Sequence, residues 1–446
     1  MHAFLLLTLA ALAPAQLPDG TLLRYEGKMV ATRDDGNPQH KEFTLTAVMG
    51  PTTGTAREVD WVITELGRGS WSWTERFNRW SVDSTQRGDQ PTAPALLFER
   101  NDGKSVVPLS PILFTAESPL AKGQKWSADR LDYEVTGEST KANQSCWTVD
   151  VRTAYGPKRT LHVAKDSGLV VAVRETVFVG QGQQHELRYE LKEQKQLTAS
   201  EASKTAQAFT SWLELQAALQ RQPRQERAEL NDEQLALARK QIAGLQKAAE
   251  GTPLAEFASA AAADVQNQKG RAGALLALKT AAVGKSLAEL KMPELKLTDL
   301  NSKELNTADW KDKVVVLHFW EYRDAPLEEP YGQVGYLDFA SRKHADTAVI
   351  IGVNVDDRLA SADTRRAAIS SARKLKSFMN LSYPIALDDG ALVKQFGDPR
   401  TAGGKLPLFV VIDAAGKISA YHAGLYDIRP EQGLKELEAA ITAAVK

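Results

Sequence analysis

Residues 314–330 read Val-Val-Val-Leu-His-Phe-Trp-Glu-Tyr-Arg-Asp-Ala-Pro-Leu-Glu-Glu-Pro. Val314–Phe319 is an apolar run suited to a strand buried on both faces. An aromatic pair, Phe319-Trp320, closes it. A short loop with Pro326 follows, and Glu328 and Glu329 then suit the positive end of a helix. Working outward, Ala348–Val355 (Ala-Val-Ile-Ile-Gly-Val-Asn-Val) is a second buried strand. Between the two, Glu328–Lys343 can form a helix, weakened by Gly332 and Gly335. A helix at Thr364–Met379 and a short strand at Tyr383–Leu387 come next. Leu408–Ile412 and Ile418–His422 pair around Ala414-Ala415-Gly416-Lys417, and Pro430–Val445 ends the chain as a helix. The order is βαβ, then an antiparallel hairpin and a terminal helix.

Five motifs recur in this order at sensible spacings. They are Trp310-Lys311-Asp312-Lys313-Val314-Val315-Val316, Phe319-Trp320, Glu329-Pro330, Ile351-Gly352-Val353-Asn354-Val355-Asp356, and the block Leu406–Ile418 with its Pro407, Asp413 and Gly416. Together they resemble the thioredoxin superfamily, and within it the exported TlpA/ResA-like thiol reductases and their peroxiredoxin-like relatives. The resemblance covers residues 291–446. Asp312 stands in the family's usual glycine place. The resemblance implies an α/β thioredoxin-like fold and a cis Leu406–Pro407 bond facing the active-site loop. An ordinary trans proline at a strand entrance is the alternative.

The family's chemistry needs Cys-x-x-Cys. A thiolate at a helix amino terminus attacks a disulfide, and a second thiol resolves the mixed species. Here the four positions are Asp324, Ala325, Pro326 and Leu327, and the chain's one cysteine is Cys146. Asp324 takes the first cysteine's place and Leu327 the second's. Neither can exchange with a disulfide. Aspartate suits the position as an N-cap, worth about 1 kcal/mol against alanine. The degenerate pair is therefore expected to be structural. The groove that relatives use for an extended peptide would here be lined by Trp320, Tyr322, Pro326, Leu406 and Pro407.

Other chemistries find little support. Glu321, Asp324 and Glu328 would need a defined separation to act as paired carboxylates. His2, His40, His162, His185, His318, His344 and His422 show no metal-ligand spacing. His318 reads as a core histidine. No Gly-x-Ser-x-Gly elbow or phosphate-binding glycine loop is present. No metal and no cofactor are expected.

Length, charge and the amino terminus frame these readings. The chain has 446 residues, too many for one ordinary domain. Its 55 basic and 56 acidic residues give a net charge of −1, with no basic patch, which argues against a nucleic-acid partner. Residues 1–15 read as a signal peptide. The apolar run Ala3–Leu12 is too short to span a bilayer, and Ala13-Pro14-Ala15 fits a cleavage site near Ala15. No later stretch is apolar enough to cross a membrane. The mature protein is expected to be exported, periplasmic or secreted. With one cysteine it can form no internal disulfide. Alternation places Trp147, Val149 and Val151 on one strand face and Cys146 on the other.

Residues 20–197 are dense in strand signals: Leu22–Ala31, Thr44–Val48, Val59–Glu65, Trp126–Tyr133, Trp147–Arg152, Arg159–Val163, Leu169–Val179 and His185–Lys192. Gly180–Gln183 joins the last two as a hairpin turn. Without helices between them, these strands predict a mostly antiparallel domain, a sandwich or a half-barrel. Trp71, Trp73 and Phe77 read as core packing across that sheet, or as an apolar ligand groove. Residues 198–290 turn rich in alanine, glutamine and lysine. They read as an α-helical hairpin or solvated linker, with Asn231 or Asp232 as one N-cap and helices at Ala255–Val265 and Ala272–Ala282.

The fold class expected is thus multidomain: antiparallel β, a helical middle segment and an α/β thioredoxin-like end. The function expected is peptide or protein binding, or envelope scaffolding, by a redox-inactive domain. The alternatives are a thiol–disulfide oxidoreductase that borrows a thiol from a partner or a neighbour's Cys146, and a β domain that binds an apolar ligand.

Overall fold

The structure is a computed structural model. It describes residues 17–31, 40–54, 56–65, 73–83, 92–100, 103–114, 119–179, 183–221, 229–290, 296–305, 310, 312–322, 333–426, 428 and 433–445. The signal peptide expected over residues 1–15, and Trp71, lie outside these. The chain divides into two compact units, Met1–Gln268 and Lys269–Lys446.

The first unit holds twelve strands: β1 (Thr21–Ala31), β2 (His40–Thr53), β3 (Ala56–Glu65), β4 (Phe77–Asp83), β5 (Ala95–Arg100), β6 (Gly103–Pro108), β7 (Lys125–Ala128), β8 (Leu131–Lys141), β9 (Gln144–Thr153), β10 (Gly156–Ala164), β11 (Val170–Val179) and β12 (Gln183–Gln196). Ten of them form one sheet in the order β4-β3-β2-β1-β12-β11-β10-β9-β8-β7. Every neighbouring pair is antiparallel. Among the described residues, strands β5 and β6 pair only with each other. The choice between sandwich and half-barrel thus resolves into a single open ten-stranded sheet.

Period-two alternation buries one face of it. Phe43, Leu45, Ala47 and Met49 of β2, and Leu187, Tyr189 and Leu191 of β12, belong to one core cluster. Leu96 and Val107 of the β5–β6 hairpin join that cluster, with Leu109 and Ile112 beyond it. That face is packed with the chain's own side chains. Gly27 of β1 admits the Phe43 ring, since a Cβ there would lie 2.4 Å from Phe43 Cζ.

Trp126–Tyr133 is not one strand. The chain reverses between β7 and β8 at Asp129 and Arg130, both at positive φ (52° and 64°). Asp129 suits the first position of such a turn, but Arg130 stands where glycine is usual, so the pair carries only half the signal.

Helices α1 (Ala199–Ala218), α2 (Asp232–Ala249) and α3 (Ala255–Ala282) follow. Thr198 caps α1 in a capping box with Glu201, and Asn231 caps α2 in another with Gln234. The two helices expected after residue 254 are one, since α3 runs 28 residues through Gly270 and Gly273. Nor are these helices a solvated spacer. Trp212 of α1 packs edge-on to Trp73 at 5.7 Å and meets Phe257 of α3 at 5.2 Å. Phe77 lies 6.1 Å from Phe209. Trp73 and Phe77 thus pack against helices rather than across the sheet. The alanine-rich composition concealed a single aromatic seam.

The second unit is a six-stranded mixed sheet in the order β13-β16-β15-β14-β17-β18. Its strands are β13 (Thr298–Asp299), β14 (Val314–Trp320), β15 (Ala348–Val355), β16 (Ile385–Asp388), β17 (Leu408–Ile412) and β18 (Ile418–Ala423). Strand β14 is parallel to β15 and antiparallel to β17. Helices α4 (Val334–Lys343), α5 (Ala362–Phe378), α6 (Ala391–Phe396) and α7 (Lys435–Val445) complete it. This is the thioredoxin-like order expected, with β13 and α6 added. All seven residues of β14 are buried, as a strand covered on both faces requires. Val316 and Trp320 pack with Leu337 of α4 and Ile441 of α7. Leu317 and Phe319 pack on the other face with Val393 and Phe396 of α6.

Candidate functional site

The site sought lies where β14 ends. Asp324, Ala325, Pro326 and Leu327 fall outside the described residues, as do Glu328 and Glu329. Helix α4 is described from Val334, and Glu328–Gly332 of the expected helix lie outside the described residues. Gln333 precedes it in the left-handed region, at φ 67°.

Of the expected groove residues, Trp320 is 1%, Tyr322 2% and Leu406 8% exposed, and Pro407 is buried. Trp320 and Tyr322 share the core on the α4 and α7 side. Leu406 belongs to the core on the opposite face. The structure therefore brings the two aromatic residues together and keeps Leu406 apart. The Leu406–Pro407 bond is cis. Asp312, in the family's glycine place, adopts φ 63°, which aspartate tolerates better than most residues.

Glu321 is engaged. Its carboxylate accepts a hydrogen bond from Arg400, whose guanidinium also grips Asp398, with Nε 3.0 Å and Nη2 2.7 Å from that carboxylate. The hydrogen bond to Asp398 leads in raising the Arg400 pKa. Glu321 is thus tied to Arg400 in the structure. Sequence reading missed Arg400. Its signal was Asp398-Pro399-Arg400, an aspartate cap before a proline at a helix start.

Among the described residues the histidines do not gather and no three metal-binding side chains converge. His318 is fully buried and stacks on Phe409 at 4.6 Å. Phe409 lies 4.8 Å from Tyr426, which stacks on His422 at 3.8 Å. These four rings run from β14 through β17 to β18 and the residues beyond it. Burial pushes the Tyr426 hydroxyl up, and the Glu436 charge adds to it. Across the β14–β15 pair Trp320 stands opposite Asn354. Asn354 is fully buried, and neither its amide atoms nor Trp320 Nε1 finds a hydrogen-bond partner. Each such orphan costs about 1–3 kcal/mol.

Comparison with known proteins places this geometry. Residues 288–421 match the profile of the AhpC/TSA family. Over 148 residues the chain is 27% identical to the thiol-disulfide oxidoreductase ResA of Bacillus thuringiensis subsp. konkukian, covering 33% of this chain and 72% of that protein. The ResA of Bacillus cereus matches equally. Residues 288–421 are thus similar to the AhpC/TSA family and to TlpA/ResA-like members of the thioredoxin superfamily.

Among solved structures, a putative thiol:disulfide interchange protein DsbE from Chlorobium tepidum is 24% identical to the chain. It covers 34% of this chain and 94% of its own, with a TM-score of 0.25. The dsbF structure described as MTB is 16% identical, covering 34% and 94%, with a TM-score of 0.26. The chain's one cysteine stands outside the thioredoxin-superfamily segment. Cys146 lies on β9, fully buried. It joins the same core cluster as Val149 and Val151, despite the alternation that separates them. Its thiol donates to the Gln144 carbonyl at 3.3 Å. Burial pushes its pKa up, which disfavours the thiolate needed for exchange.

Proposed function

We propose that the thioredoxin-superfamily segment works as a binding domain, for a peptide or protein, and has no thiol chemistry of its own. In this reading Asp324 and Leu327 replace the exchanging cysteines. Trp320, Tyr322, Pro326, Leu406 and Pro407 border the place where an extended chain docks. The domain spans residues 291–446 of an exported protein, behind a β domain at 20–197 and helices at 198–290. The observation that carries the reading is the chain's single cysteine, buried in the other unit with a raised thiol pKa. Thiol–disulfide exchange by relatives needs an accessible thiolate, and Cys146 offers none.

Insulin reduction by the purified full-length protein with dithiothreitol tests this. The expected result is turnover at the uncatalysed rate for both the wild type and Cys146→Ser. Turnover above that rate, abolished in Cys146→Ser, would establish an oxidoreductase instead. Ellman's reagent should titrate Cys146 only after denaturation. Export is tested by the amino terminus of the mature protein, which should begin at Gln16.

A further inference from the structure

Strands β1 and β12 carry their charges in phase on the face turned away from the core. Along β1 that face reads Arg24, Glu26, Lys28, and along β12 Arg188, Glu190, Lys192. The antiparallel register sets Glu26 opposite Glu190 and Lys28 opposite Arg188. Strand β11 extends the second row, with Arg174 opposite Arg188. Like charges directly opposite on neighbouring strands destabilise a sheet. Exchanging Glu26 with Lys28 would turn both β1–β12 contacts into ion pairs and leave the core face untouched. Packing therefore does not require the arrangement.

Both rows line an open groove of about 710 Å³. The carboxylate row runs on from Glu190 through Ala172 to His162, and the short side chain of Ala172 leaves the groove a floor. The charged groups are within reach of a ligand. Glu26 and Lys28 are exposed, as are Arg174 and Arg188, and Glu190 is partly so. Among the described residues neither Glu26 nor Lys28 forms an ion pair. The others are partly compensated. Glu186, outside the groove, accepts from Arg174 at 2.6 Å and also holds Arg188. Glu42 stands opposite Lys28 on β2, and Lys192 lies 3.4 Å from Glu190. Arg24 is paired with Glu256 at 3.1 Å, and Lys141 adds a positive charge to the lining. The cation row thus keeps a small positive excess and the carboxylate row a small negative one. At about 3.4 Å per residue the rows lie roughly 7 Å apart along the strands. An α-amino acid, whose two charged groups share one carbon, is too short to reach both. A phosphodiester offers several oxygens to a lysine and two guanidinium groups at once.

We propose that this groove binds a zwitterion carrying an ammonium and a phosphodiester, of which glycerophosphoethanolamine is a soluble example. The ammonium sits between Glu26 and Glu190. The phosphate accepts from Lys28, Arg188 and Arg174. The site lies in the first unit and is independent of the reading of residues 288–421.

Isothermal titration calorimetry on the full-length protein at low salt tests this, with glycerophosphoethanolamine, glycerol 3-phosphate and ethanolamine as separate probes. The zwitterion is expected to bind roughly fivefold or more tightly than either half, because it alone meets both rows. Binding should weaken above about 0.1 M salt, since the groove is open to screening. Glu26→Gln should bring the zwitterion down to the affinity of glycerol 3-phosphate and leave that probe unchanged, whereas Lys28→Gln should weaken both. Cosedimentation with phosphatidylethanolamine and phosphatidylcholine vesicles separates the sources: co-pelleting assigns a lipid headgroup, and its absence beside calorimetric binding assigns a free compound. The proposal is overturned if neither the soluble zwitterion nor the vesicles bind. It is equally overturned if either half binds as well as the zwitterion, or if a folded Glu26→Gln binds the zwitterion unchanged. Should that variant not fold, the order of the three probes on the wild type decides.

Discussion

The carboxamide of Gln333 reproduces half a β-ladder with Tyr426: its Nε2 donates to the Tyr426 carbonyl at 2.7 Å, and its Oε1 accepts from the Tyr426 amide at 3.0 Å. Gln333 is 1% exposed and sits where α4 begins. Tyr426 in turn stacks on His422 and Phe409. One side chain thus ties the residues before α4 to the far side of the sheet. Gln333→Ala strands two buried backbone groups and should destabilise the protein by about 1–3 kcal/mol. Urea unfolding followed by circular dichroism measures it. A loss below a few tenths would show that water replaces the amide.

Gly352 occupies the crowded side of β15. A Cβ there would lie 2.9 Å from the Tyr383 ring and 3.0 Å from Trp320 Nε1. Both neighbours are themselves buried. Gly352→Ala should therefore cost about 1–3 kcal/mol by overpacking. A lowered thermal midpoint, with perturbed tryptophan fluorescence, is the expected reading.

Trp212 ties the helices to the rest of the first unit. Its ring lies 5.7 Å from Trp73, 6.1 Å from Phe77 and 5.2 Å from Phe257. Truncation to alanine removes one partner from each pair and opens a cavity. The cost should be about 3–5 kcal/mol, measured by denaturant unfolding. A solvated helical spacer would show almost none.

Asp338 supplies a pH signature. Burial raises its pKa, but hydrogen bonds from Ser382 N–H at 2.6 Å and O–H at 2.7 Å, with Arg342 at 3.1 Å, outweigh burial and leave it depressed. A depressed folded pKa contributes stability that is complete above the unfolded value and is lost as pH falls through the folded one. The stability gap between wild type and Asp338→Asn should therefore be constant above about pH 5 and shrink on further acidification. Urea midpoints across that range test it. A gap independent of pH would assign the contribution to packing alone.

Much of the fold was legible because it is written in local periodicity. The unbroken apolar runs at 314–319 and 348–355 announced two buried strands, and both are buried throughout or nearly so. Asp413 and Gly416 announced the β17–β18 turn, where Asp413 Oδ1 accepts from the Ala415 and Lys417 amides and Gly416 takes φ 77°. The turn at Asp129-Arg130 was hard to read, because Arg130 takes positive φ where glycine is the usual signal. Glu321 looked like a free carboxylate because its partner, Arg400, is 79 residues away.

The sequence by itself determined how many cysteines there are to work with and which family its end resembles. One cysteine excludes an intramolecular thiol pair whatever the fold, and five short motifs in order identify a thioredoxin-superfamily segment, since each encodes a local turn, strand or cap. Tertiary structure alone decided the rest. It made the ten strands one open sheet rather than two, buried Cys146 on it, and joined Trp73 and Phe77 to helices more than a hundred residues on. Such relationships depend on which buried surfaces meet, and that is settled by the packing of the whole core rather than by any stretch of chain within it.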